Sequence, residues 1–160
     1  MVELIYQDYL IRDWQQDDRE VVAHIIGSVL QEYNLTWQPE EADKDVVEID
    51  HYYLETGGEF WVIEKERKLI GTAAYYPIAR GEDAVEIRKM YLLPIARGKG
   101  LGKYLLQELE KAIVKKGFRE IWLETASVLK EAVCLYENNG YQPITEVETK
   151  RCDRAYYKRL

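Results

Sequence analysis

Apolar and polar residues alternate from Tyr9 to Trp14 ("YLIRDW") as on a half-buried strand, and the period then lengthens. Val21, Val22, Ile25, Ile26, Val29, Leu30 and Tyr33 follow the acidic start "DDRE" at helical spacing, which predicts an amphipathic helix. "DKDVVEIDHYYLETGG" predicts a second helix, with Asp43 or Asp45 placed to cap its start and Gly57 and Gly58 to end it. "EFWVIEKERKLIGTAAYYP" sets aromatic and β-branched residues on both sides of Glu66, Arg67 and Lys68, the pattern of a hairpin. After the polar "ARGED", Val85 to Leu93 predicts a third long strand, in which alternation puts Glu86, Arg88, Met90 and Leu92 on one face. A glycine-rich segment then leads to a helix from Leu101 to Lys116. "REIWLETA" predicts a strand, "VLKEAVCLYENNG" a helix, and the tail from Tyr141 one or two strands ending at "AYYKRL". The order is that of a mixed α/β domain built around one sheet.

With 160 residues and 47% apolar content, the chain has the size of one domain, residues 1–160, with enough apolar material for a proper core. No window reaches the roughly 18 to 20 apolar residues of a membrane span, and the start "MVELIYQDYL" lacks the pattern of a signal peptide, so a cytoplasmic protein is expected, with no membrane partner. Cys134 and Cys152 are the only cysteines; they are expected as reduced thiols, and no Cys/His spacing reads as a metal site. The net charge of −7 argues against nonspecific nucleic-acid binding, whose affinity comes from phosphate contacts, and suits a protein that tolerates amines.

The candidate chemistry lies in "MYLLPIARGKGLGKYLLQELEKAIVKKG". A helix start leaves backbone N–H groups unpaired and carries partial positive charge. Glycines let the preceding loop bring its amides against an anion, and Arg97, Lys99 and Lys103 add formal charge. A strand, a glycine-rich turn and a helix start together predict a pyrophosphate cradle over Arg97, Gly98, Lys99, Gly100, Leu101 and Gly102. The Walker pattern is absent, because Tyr104 follows Lys103, and the glycines fall as GxGxG rather than the GxGxxG of dinucleotide folds, although Glu124 stands near the distance of that fold's acidic residue.

"RGKGLG" after "MYLLP" resembles the acyl-coenzyme A binding motif, Q/R-x-x-G-x-G/A, of the GNAT superfamily of N-acetyltransferases, with Arg97, Gly100 and Gly102 at the signature positions. "LETASVLKEAVCLYENNGY" and the closing "YYKRL" are similar to later segments of that superfamily. The resemblance implies a mainly antiparallel central sheet of about six to seven strands flanked by about four helices. It further implies acetyl-coenzyme A lying between the strands Val85 to Leu93 and Glu120 to Ala126, with the backbone of Tyr91, Leu92 and Leu93 pairing with its pantetheine arm.

Tyr136 matches the tyrosine of the "LYE" segment, which makes it the expected proton donor to the departing thiolate rather than a packing residue between Ala132 and Leu135. Glu86 stands where some members carry a catalytic glutamate; it reads equally as the base, reaching the amine directly or through water, and as a partner of Arg88. The chain departs from many members at Leu129, where an asparagine contacts the cofactor arm; Ser127, Asn138 or Asn139 would have to serve, and Asn138 is taken as the contact.

By resemblance the acceptor site is shaped by the first two helices and the loops before the last strands. Tyr33, Trp37, Tyr52, Tyr53 and Tyr76 therefore either line an amine pocket or pack under the helix pair. The expectation is an N-acetyltransferase that moves acetyl from acetyl-coenzyme A to a small-molecule primary amine by direct attack, as a monomer or homodimer. A protein lysine or N-terminal acetyltransferase, or a noncatalytic acyl-coenzyme A sensor, are the alternatives.

Overall fold

The alternating segment at the start of the chain is half of a hairpin. In the computed structural model, which describes residues Met1–Leu160, β1 (Glu3–Tyr6) and β2 (Tyr9–Asp13) pair antiparallel around Gln7, whose φ is +53°. Six further strands follow: β3 (Glu59–Lys65), β4 (Lys68–Ile78), β5 (Ala84–Leu92), β6 (Glu120–Thr125), β7 (Gln142–Ile144) and β8 (Arg154–Arg159). All eight share one sheet in the order β1-β2-β3-β4-β5-β6-β8-β7. The sheet exceeds the expected six to seven strands because β1, four residues at a half-exposed edge, is too short to show a period of its own.

Four α-helices cover the sheet: α1 (Arg19–Glu32), α2 (Lys44–Val47), α3 (Leu101–Lys115) and α4 (Lys130–Glu137). The expected second helix is broken in two. α2 is a single turn, and a π-helical turn, Asp50–Leu54, follows it. Neither aspartate acts as an N-cap through its side chain. Both are drawn inward: Asp43 is fully buried with Lys89 and Arg151, and Asp45 accepts from the Tyr53 hydroxyl and faces Arg88 and Lys89.

The hairpin turn between β3 and β4 is tighter than usual for its residues, since Glu66 and Arg67 both take positive φ (51° and 67°) to match the twist of the strands. Two apolar layers form. On one face, Ile11, Trp61, Ile63 and Tyr75 of the sheet meet Leu105, Leu106, Leu109 and Ile113 of α3; on the other, Phe60, Val62 and Ala74 meet Val22, Ile26 and Leu30 of α1.

The feature that positions the site is an irregularity in β5. Lys89 has φ +52°, and the β4–β5 register shifts between Thr72 and Ala74, so Lys89 is the extra residue of a β-bulge held by the Thr72 hydroxyl donating to its carbonyl (2.6 Å). The bulge overturns the expected alternation. Met90 and Leu92 join the face of Val85 and Ile87, Tyr91 packs on the α1 face, and Arg88 and Lys89 point toward Asp43 and Asp45 on that same α1 side.

Candidate active site

β5 and β6 run parallel but pair only at Ala84–Glu120, Val85–Ile121 and Glu86–Trp122; beyond that, β6 pairs with β8 alone and the two strands splay. From Ile87 onward, β5 therefore offers one open edge. Leu93 N–H donates to the Ile70 carbonyl (2.9 Å), which makes Leu92 opposite Gly71 a non-hydrogen-bonded pair. The backbone of Leu92 thus faces the opening, while those of Tyr91 and Leu93 face β4. Of the three positions expected to pair with a pantetheine arm, only Leu92 is free to do so through its N–H, since its carbonyl accepts from Arg97 Nε (3.1 Å).

The glycine-rich turn follows a 3-10 turn at Pro94–Ala96. Gly98 and Gly100 both need positive φ (74° and 80°), and Gly100 stands at the N-cap of α3. Arg97 N–H is taken by the Pro94 carbonyl, and Tyr104 N–H by the Gly100 carbonyl. The amides between them, Gly98, Lys99, Gly100, Leu101, Gly102 and Lys103, have no acceptor anywhere in the protein. A run of unpartnered donors at the positive end of a 15-residue helix is an arrangement that favours an anion.

The formal charge is less than the sequence suggests. The Arg97 guanidinium is held by Glu32 of α1 (Nη2 to Oε1, 2.9 Å) and lies over the Tyr33 ring, so its charge is largely neutralised. The pairing raises the Arg97 pKa and lowers that of Glu32. Lys99 and Lys103 are exposed and unpaired.

The turn opens onto a mainly apolar cleft of about 200 Å³, lined among others by Met90, Leu92, Gly100, Gly102, Leu129 and Tyr136. Tyr136 comes from α4, is 6% exposed, and directs its hydroxyl toward Met90 Sδ at 4.0 Å with Tyr141 and Tyr156 packed around its ring. Burial, with Tyr91 and Cys152 adding to it, pushes the phenol well above its ordinary pKa, so it is fully protonated near neutrality. Tyr33 lines this cleft too. Asn138, expected as a cofactor contact, is not brought to the cleft: as the C-cap of α4 it is exposed, at the opposite end of the helix from Leu129. Lys99 contributes its amide to the turn, but its carbonyl faces away, toward Tyr6.

A second, polar cavity of about 400 Å³ lies beside β5, lined by Gln38, Glu41, Lys44, Asp45, Tyr52, Tyr76, Arg88, Thr149 and Lys150, with Ala42. Tyr76 and Tyr52 belong to it. Trp37 is half-buried against the α1-side core and Tyr53 is fully buried, so both pack instead of lining the cavity. Glu86 lines neither cavity; its carboxylate accepts from Arg88 Nη1 (3.1 Å). Burial raises its pKa, Arg88 offsets part of this, and Glu124 and Glu148 add to it.

Gln38, Glu41, Ala42, Thr149 and Lys150 escaped the sequence reading, because they sit in aperiodic loops. The loops meet because Arg151 reaches across to the Thr36 carbonyl (2.8 Å) and to Asp43, while Glu124 accepts from the amides of Glu148 (2.7 Å) and Thr149 (2.8 Å).

A splayed parallel strand pair, an unpaired strand edge and a helix start with free amides thus meet at one cleft. A sequence model of the Acetyltransferase (GNAT) family matches residues 26–141. The chain is 37% identical to the uncharacterized N-acetyltransferase YjgM of Escherichia coli strain K12, over 86% of this chain and 84% of that protein. Its fold is similar to that of a GNAT-family acetyltransferase of Staphylococcus aureus Mu50 (TM-score 0.87, 23% identity, 95% and 99% of the two chains). It is also similar to the PaiA N-acetyltransferase of Thermoplasma acidophilum in complex with coenzyme A (TM-score 0.72, 21% identity, 95% and 99%). The chain belongs to the GNAT acetyltransferase family and is an acyltransferase of the N-acetyltransferase type. No helix is long and apolar enough to cross a membrane.

Proposed function

We propose that the protein transfers an acetyl group from acetyl-coenzyme A to a primary amine of a small molecule by direct attack. The observation that carries the reading is the run of free amides from Gly98 to Lys103 opening onto the same cleft as the Leu92 edge and the Tyr136 hydroxyl. The turn would hold the pyrophosphate, Leu92 N–H the pantetheine arm, and Met90 and Leu135 the apolar wall. Acetyl-coenzyme A supplies the activated acetyl group as a thioester.

Tyr136 holds the proton that the departing sulfur needs. Its raised pKa keeps the donor form present at working pH; the same burial disfavours a thiolate in the cleft, so the sulfur's proton affinity rises alongside. Glu86, which lines neither cavity, would receive the amine's proton through water, and burial keeps it a stronger base than an exposed glutamate. The small-molecule acceptor is supported by the polar lining of the cavity beside β5, between Gln38 to Asp45 on one side and Thr149 and Lys150 on the other. A protein substrate would need an open groove.

Calorimetric binding of acetyl-coenzyme A, followed by turnover with panels of small amines and of lysine peptides, tests the reading; no binding, or turnover of peptides alone, overturns it. Tyr136→Phe is expected to bind coenzyme A like the wild type while kcat falls at least about tenfold, about 1.4 kcal/mol of barrier. An unchanged kcat removes Tyr136 from the mechanism. Because a base works only when deprotonated, wild-type kcat/KM should fall as pH drops through the raised Glu86 pKa, and Glu86→Gln should abolish that acid limb along with most of the plateau rate. An identical limb in the variant would assign it to another group.

A further inference from the structure

The N-terminal hairpin touches the glycine-rich turn outside the lining of the cleft. Tyr6 Oη donates to the Lys99 carbonyl at 2.9 Å, and Gln7 Nε2 donates to the same oxygen at 3.3 Å. The Tyr6 ring stacks on Tyr104 in the first turn of α3, with centroids 4.5 Å apart and planes 29° from parallel. Tyr6 is not among the residues lining the cleft, whereas Gly98, Gly100 and Gly102 are.

A trans peptide unit is planar, with its C=O and N–H pointing in opposite directions. Fixing the Lys99 carbonyl on the hairpin therefore turns the Gly100 N–H away from the hairpin, toward the cleft. The turn needs such a hold. Gly98 and Gly100 lie in a region of backbone space that glycine leaves as readily as it enters, and none of the amides from Gly98 to Lys103 is tied to the protein. Gln7 itself adopts positive φ, which brings its side chain over the turn beside Tyr6. The approach is close: a Cβ on Gly100 would lie 2.7 Å from Tyr6 Oη. The hairpin also falls outside residues 26–141, the part that the family's sequence model covers.

We infer that the β1–β2 hairpin is a clamp on the anion cradle, with Tyr6 as a positioning residue that preorganises the amides from Gly98 to Gly102 for the pyrophosphate of coenzyme A. The inference rests on the reading of that turn as the pyrophosphate site. A cradle with its amides fixed beforehand binds without the cost of ordering them.

The test compares binding of coenzyme A and of pantetheine, which has no phosphates, by calorimetry on the full chain. Tyr6→Phe keeps the ring stack on Tyr104 and removes the hydroxyl donor. It should weaken coenzyme A by roughly fivefold, the scale of one hydrogen bond, leave pantetheine unchanged, and raise KM for acetyl-coenzyme A with kcat unaltered. Gln7→Ala, which removes the longer bond, should weaken coenzyme A by about twofold with the same selectivity.

If Tyr6→Phe does not fold, Gln7→Ala decides on the same comparison. A wild type that prefers coenzyme A, together with variants that keep that preference or lose both ligands equally, overturns the clamp alone. A wild type that binds coenzyme A no better than pantetheine overturns the pyrophosphate reading, and the clamp falls with it.

Discussion

Gly100→Glu is expected to abolish coenzyme A binding at accessible concentrations, a loss of at least about 100-fold or 2.7 kcal/mol in affinity. Three effects add. At φ +80° any side chain is strained, the new Cβ would displace the Tyr6 hydroxyl, and the carboxylate would place a negative charge among the amides proposed to hold a phosphate. Because the turn is exposed and Tyr6 can swing aside, the variant should still fold, and its thermal midpoint should stay within a few degrees of the wild type. Calorimetry with coenzyme A reads the affinity. Unchanged binding by the folded variant would remove the pyrophosphate from this turn. Gly100→Ala, which keeps the steric change without the charge, should show a smaller loss and so divide the effect.

Asp43→Asn should destabilise the fold by about 3 kcal/mol, because it strips the counter-charge from Arg151 and leaves the buried Lys89 with Asp45 alone. The carboxylate is fully buried and accepts from Lys89 Nζ (2.7 Å), from both terminal nitrogens of Arg151 (2.6 and 2.8 Å) and from the Gln38 amide (2.8 Å). Burial alone would raise its pKa, but Arg151 and Lys89 outweigh burial and hold it down to about 2. A depressed carboxylate pKa stabilises the native state above the unfolded value near 4, and the contribution is lost as pH falls from there toward 2.

The wild type should therefore lose stability across that window, and the gap between wild type and Asp43→Asn should narrow there. Urea unfolding at pH 7 and through the acid range measures both. A difference under about 1 kcal/mol at pH 7 would mean that the cluster contributes little. Activity offers a second readout, because Asp43 ties Arg151, and with it the loop carrying Thr149 and Lys150, against the wall of the polar cavity.

Where the chain carries long periodic segments, elements and sequence agree. α1 buries Val22, Ile25, Ile26, Val29 and Leu30 of the stripe that its spacing marked and leaves Val21 exposed, α3 stands where the helix after the glycines was expected, and β3, β4, β6 and β8 stand where aromatic and β-branched residues gather. The segment read as one second helix fails because Asp43 and Asp45, which look like helix-start residues, are taken by cations more than 40 positions away in the chain. The face of β5 could not be read either. A bulge needs no glycine or proline to announce it, and one extra residue at Lys89 inverts every side chain that follows.

The same division holds for the site. The glycines, the helix after them and the "LYE" tyrosine are local features, since a tight turn and an anion-binding helix start are written in consecutive residues, and the sequence determined them. Which groups are available could not be local. That Leu92 alone faces the open edge follows from its pairing with Gly71; that Arg97 is spent on Glu32 follows from where α1 packs; that Asn138 is out of reach follows from the direction of α4. Beyond Tyr52 and Tyr76, the polar cavity was decided by tertiary structure. Its remaining walls, Gln38 to Ala42 and Thr149 to Lys150, come from loops that long-range ion pairs and hydrogen bonds, Arg151 to Asp43 and Glu124 to the amides of Glu148 and Thr149, bring together.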